Sequence, residues 1–157
     1  MSFGGFKVEI VNFFIEYYNT SFDKVAYTKE ALNENTEIFA GNLDCQNERI
    51  VFYPNLKVII GDAHFNNLVT AIGLENLNFI IGSAYFHSLR NADGLENLKL
   101  IAGDAFFDLL ARAKGIKDMD TIAGLSYFGD LKKDKYIENI HTEGPVYAPR
   151  IRKKKVR

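Results

Sequence analysis

Hydrophobic and polar positions along this chain recur with a period of 21 residues. The segments NLKVIIGDAHF from Asn55, NLNFIIGSAYF from Asn76, NLKLIAGDAFF from Asn97 and DMDTIAGLSYF from Asp118 align position for position. Glycine falls at 61, 82, 103 and 124, and phenylalanine at 65, 86, 107 and 128. Fixed self-similarity of this length is the signature of a solenoid, whose coils bury their apolar side only by stacking on one another. A weaker copy begins at Asn35, at a spacing of 20, and Ile137-Glu138-Asn139-Ile140 matches Leu74-Glu75-Asn76-Leu77. With a partial coil at Gly144–Tyr147, the pattern predicts about five full coils over residues 31–148.

Within a coil, a second glycine recurs at 73, 94 and 115, each followed by Leu74, Leu95 or Ile116. Two glycine corners per coil follow, because glycine permits positive φ or close backbone approach. After the first corner, GDAHFNNL reads as a short strand of alternating faces. The other half, around GLENLKLI, places leucine and isoleucine at inward corners. Alternation assigns an inner spine of Cys45, Phe65, Phe86, Phe107 and Phe128 beside a small column of Leu43, Ala63, Ala84, Ala105 and Ser126. Large beside small fills a narrow coil without voids. Cys45 is then a small buried hydrophobe and not a nucleophile.

The outward positions form three columns. The central one runs Asp44, His64, Tyr85, Phe106, Tyr127; the second Gln46, Asn66, His87, Asp108, Gly129; the third Asn42, Asp62, Ser83, Asp104, Leu125. Strands about 4.8 Å apart would stack Tyr85, Phe106 and Tyr127 into an aromatic ladder. Such a ladder serves either as cross-strand packing, which needs no partner, or as a binding hot spot rimmed by Asp62, Asp104, Asp108 and Asn66. Phe106 has no polar atom to account for exposure, which favours binding.

Units such as GLENLKLIAGDAFF resemble leucine-rich repeats of the receptor-L-domain-like kind, over about residues 35–140. The resemblance implies a β-rich, right-handed solenoid with a parallel sheet, generally used to bind other macromolecules. Phenylalanine at the second inward strand position departs from the usual pattern. The chain also lacks the cysteine-rich flanks of extracellular receptors, which argues against such a role.

Residues 1–30 stand outside the repeat. Phe6, Ile10, Phe13, Phe14 and Tyr17 sit at helical spacing over Lys7–Tyr18, while Phe6, Val8 and Ile10 also alternate as in a strand. In either form the segment is expected to cap the first coil.

At 157 residues, 47 % apolar and 25 % charged, the composition is that of one soluble globular domain. The net charge of −1 excludes a wholly basic nucleic-acid binder. It hides an asymmetry: Arg150, Arg152, Lys153, Lys154, Lys155 and Arg157 form a basic tail over 149–157. The other thirteen cations face twenty carboxylates, a net of −7. The single cysteine permits no internal disulfide. Glu9 and Asn12 interrupt the only leader-like run, and no apolar stretch is long enough for a bilayer. A cytoplasmic protein without membrane attachment is expected.

Candidate chemistry is sparse. His87 and Asp108 share a column on adjacent coils and are placed to pair, with His64 diagonal to His87. Two imidazoles and a carboxylate in separate columns converge poorly for a metal, and no nucleophile is favourably placed beside His87. These histidines read as surface groups whose charge modulates partner affinity near neutral pH. No phosphate-binding glycine motif and no calcium-roll motif occurs. The expectation is a non-enzymatic protein-binding module without cofactor or metal, an adaptor or inhibitor acting through His64, Tyr85, Phe106, Tyr127, Asn66, His87, Asp108, Asp62 and Asp104. The alternative is a nucleic-acid-associated accessory factor anchored by the tail. Self-association through an open solenoid end is a third possibility.

Overall fold

The computed structural model describes residues 3–133 and 135–151. Helix α1 (Phe3–Tyr17) precedes thirteen short strands. These are β1 (Val25–Ala26), β2 (Ile38–Ala40), β3 (Leu43–Asp44), β4 (Val58–Ile60), β5 (Ala63–His64), β6 (Phe79–Ile80), β7 (Ala84–Tyr85), β8 (Leu100–Ile101), β9 (Ala105–Phe106), β10 (Thr121–Ile122), β11 (Ser126–Tyr127), β12 (His141–Thr142) and β13 (Val146–Tyr147). They form a seven-stranded sheet in the order β1-β2-β4-β6-β8-β10-β12 and a six-stranded sheet in the order β13-β11-β9-β7-β5-β3. Every strand pairing is parallel.

The register repeats the sequence period. Val58, Phe79, Leu100 and Thr121 are successive partners in the first sheet, as are Ala63, Ala84, Ala105 and Ser126 in the second. The β-rich solenoid expected from the repeat is therefore present, with one difference. Each central coil carries two strands where alternation predicts one. The additional strand precedes the first corner glycine, and in β2 and β4 all three residues are buried. A strand covered on both faces reads as an unbroken apolar run and loses the period-two signal.

The corners explain the glycines. At Gly82 a Cβ would lie 2.3 Å from the carbonyl oxygen of Gly61 on the preceding coil. Gly73 and Gly94, at the other corner, have φ of +105° and +100°, a region that side chains disfavour. Inside the coils, Phe65, Phe86, Phe107 and Phe128 are buried and stacked, with successive centroids 5.3, 5.3 and 5.6 Å apart. Cys45 and the small column from Leu43 to Ser126 are buried beside them. Asn55, Asn76 and Asn97 tie coils together by donating Nδ2–H to the carbonyls of Glu34, Pro54 and Glu75 at 2.8, 2.6 and 2.6 Å.

The N-terminal segment divides its work. Of the two conformations open from sequence, α1 is helical. It does not sit over the end of the stack. Val11 and Phe14 bury themselves against Ile38, Ala40, Val58 and Ile60, on the outer face of the seven-stranded sheet. The Phe14 ring lies 5.7 Å from Phe79, and Tyr18 Oη donates to Asn78 Oδ1 at 2.9 Å. The end of the sheet is instead extended by β1, which pairs with β2. No helix among the described residues is long and apolar enough to cross a membrane.

Candidate functional site

Alternation along β5, β7, β9 and β11 turns Ala63, Ala84, Ala105 and Ser126 inward and His64, Tyr85, Phe106 and Tyr127 outward. The outward rings stack, starting one coil earlier than the sequence suggests. His64 lies flat on Tyr85, with centroids 4.7 Å apart and planes 4° apart, and Tyr85 lies on Phe106 at 5.2 Å and 9°. Tyr127 keeps the register with Phe106, but its ring is turned toward Gly129, whose added Cβ would be 3.1 Å from Tyr127 Cε1. The cause is local: the second column ends in a glycine, and the tyrosine occupies the vacant place. All four outward groups are half-buried.

The second column flanks this stack. His87 Nδ1 is 2.7 Å from Asp108 Oδ1, the adjacent-coil pair that the sequence spacing indicates. The His87 ring also packs 5.9 Å from Tyr85 and 5.7 Å from Phe106. Asn66 is half-buried, and its Oδ1 is buried without a hydrogen-bond partner among the described residues.

The third column has a different task from the one expected of it. Asp62 Oδ1 accepts from Ser83 N at 2.8 Å and Asp104 Oδ1 from Leu125 N at 2.8 Å. Asn42 Oδ1 and Ser83 Oγ do the same for Asp62 N and Asp104 N, at 2.8 and 3.0 Å. These side chains bind the corner of the next coil, so Asp62 and Asp104 reach a partner only with acceptor capacity left over from that role.

The remaining candidate groups are accounted for by position. Burial, with Glu48 nearby, pushes the Cys45 thiol up to about 12, far from the range of reactive thiolates. Among the described residues no three His, Cys, Asp or Glu side chains come together to hold a metal ion. Of the basic tail, Arg150 is placed with its Nε 3.4 Å from Asp130 Oδ1; Arg152, Lys153, Lys154, Lys155 and Arg157 lie outside the described residues.

Sequence reasoning overlooked the irregular third side, which connects the second sheet to the first sheet of the next coil. Ile50, Phe52, Val69 and Ile72 are exposed there at 68, 66, 41 and 62 %. No strand alternation runs through this side, so periodicity gives its positions no direction. Comparison of the chain with protein-family models, curated proteins and solved structures finds no match in any of the three.

Proposed function

We propose that this chain is a non-enzymatic protein-binding module, related to leucine-rich repeats, that engages its partner through the outer face of the six-stranded sheet. The observation that supports this reading is the stack of His64, Tyr85 and Phe106, half-exposed and flanked by the His87–Asp108 pair. Rings fixed in parallel register lose little freedom on binding, so contact with them costs less side-chain ordering than contact with mobile groups. Aromatic anchors beside hydrogen-bonding groups make the strongest contacts of protein interfaces. A small rigid module of this kind acts as an adaptor or inhibitor by covering part of its partner. The 21-residue coil and its inward leucine and isoleucine positions support the leucine-rich-repeat kinship.

Affinity capture from native lysate tests the assignment. Wild type, the variant Tyr85→Ala/Phe106→Ala/Tyr127→Ala, and a chain lacking residues 150–157 serve as parallel baits. A protein partner retained by the wild type and the tail deletion, and lost with the ladder variant at unchanged folding, is the expected result. Nucleic acid lost only with the tail deletion would instead favour the accessory-factor reading.

A further inference from the structure

The third side changes character along the stack. Exposed apolar groups in the early coils give way to cations in the later ones. Aligned by the repeat, Thr70, Asn91, Arg112 and Lys133 form one column, and Ile72, Asp93, Lys114 and Lys135 another. A bridge between Asn91 and Arg112 places that step of the first column side by side.

Between the last two of these coils lies a cleft of about 500 Å³, lined by Ala111–Lys114, Asp130–Lys133, Lys135 and Tyr136. Its described lining carries five cations, Arg112, Lys114, Lys132, Lys133 and Lys135, against the single carboxylate of Asp130. Asp130 already faces Arg150. Asp93, one coil earlier in the Lys114 column, accepts from Asn91 Nδ2 at 2.8 Å. Among the described residues none of the five cations is in an ion pair. All five are exposed, while Ala113 and Leu131 are buried beneath them and Tyr136 is half-buried.

Two like-charged pairs, Arg112 with Lys133 and Lys114 with Lys135, therefore occupy equivalent repeat positions on the two coils that flank the cleft. Such pairs repel, and nothing in the packing of the coils requires them. An anion lying between them removes the repulsion. The apolar floor and a volume in the range of small-molecule sites add a second requirement, a non-polar part on the ligand.

We propose that this cleft binds an organic phosphate of nucleoside-phosphate size, with the phosphates between Arg112, Lys114, Lys133 and Lys135 and the non-polar part toward Leu131 and Tyr136. The site is independent of the aromatic ladder.

Calorimetric titration of the full chain with ATP, tripolyphosphate, adenosine and a single-stranded oligonucleotide tests this, with thermal melts alongside. Saturable one-to-one binding of ATP that raises the melting temperature is expected. Arg112→Ala/Lys133→Ala and Lys114→Gln/Lys135→Gln, both at exposed positions, should each weaken it about tenfold or more. Tripolyphosphate should bind less tightly than ATP and adenosine far less, and deletion of residues 152–157 should change ATP affinity by less than about twofold. Four results would each overturn the proposal. They are no saturable ATP binding, wild-type affinity in both cleft variants, tripolyphosphate matching ATP, or an oligonucleotide that binds and is not displaced by ATP.

Discussion

Ser126 is the single polar member of an inner column whose other residues are Leu43, Ala63, Ala84 and Ala105. Its hydroxyl is fully buried with no hydrogen-bond partner among the described residues. An unsatisfied buried hydroxyl costs roughly 1–3 kcal/mol. Ser126→Ala should therefore stabilise the protein by about 1 kcal/mol, seen as a higher denaturant midpoint at unchanged slope; a lower midpoint would show that the hydroxyl is bonded. Phe107 is the opposite case, packed between Phe86 and Phe128. Phe107→Ala should cost roughly 3–5 kcal/mol, a large share of the ~5–15 kcal/mol that holds an ordinary domain together. A melting temperature within about two degrees of wild type would contradict its place in the spine. Both columns are legible in sequence because strand alternation and the repeat fix the same positions twice. The corner role of Asp62 and Asp104 is hidden, since an acid on an outward strand position reads as a surface charge. The clue lies in their column mates: Asn42 and Ser83 share with them only a short side chain bearing an oxygen acceptor.

At the scale of elements, α1 was ambiguous in sequence because its apolar residues satisfy two periodicities over their first five positions. The structure resolves this through packing. The outward residues of β2 and β4 are apolar, and only an element laid across them removes them from water. The chain leaving the helix is fastened by Glu37, which accepts from Lys57 Nζ at 2.6 Å and from the Thr20 hydroxyl. Lys57 Nζ also lies 5.0 Å from the centre of the Tyr18 ring. Burial pushes the Glu37 carboxyl up, but the hydrogen bonds from Lys57 and Thr20 and the Lys57 charge outweigh it, so the group sits below the ordinary glutamate range. A carboxyl lowered on folding contributes stability that is present above the ordinary glutamate range and is lost as pH falls through the folded value. Glu37→Gln should lower stability near neutral pH and lose less on acidification than wild type, as measured by urea unfolding at about pH 7 and about pH 3. The same acid-side loss in both proteins would assign that loss to other carboxylates.

At the scale of the whole molecule, the chain presents distinct surfaces. The seven-stranded sheet is partly covered by α1, the third side runs from apolar to basic, and the six-stranded sheet carries the ring stack. The solenoid and its parallel pairing follow from the period alone, since a 21-residue repeat allows each coil to meet only its neighbours. The seven-stranded sheet and the basic cleft do not follow, because neither has a period-two pattern to direct its side chains. Central to this account is the claim that the outer face of the six-stranded sheet is the contact surface. Exposed aromatic groups elsewhere, Phe13, Phe22 and Phe52, supply internal controls for it. Hydroxyl-radical footprinting of the free protein and of its complex with a captured partner reads all of these at once. The account predicts strong protection of Tyr85 and Phe106 on binding, with Phe13, Phe22 and Phe52 unchanged. Unaltered oxidation of Tyr85 and Phe106 alongside protection of any of the three controls would contradict it, leaving the ladder as packing that stabilises the sheet.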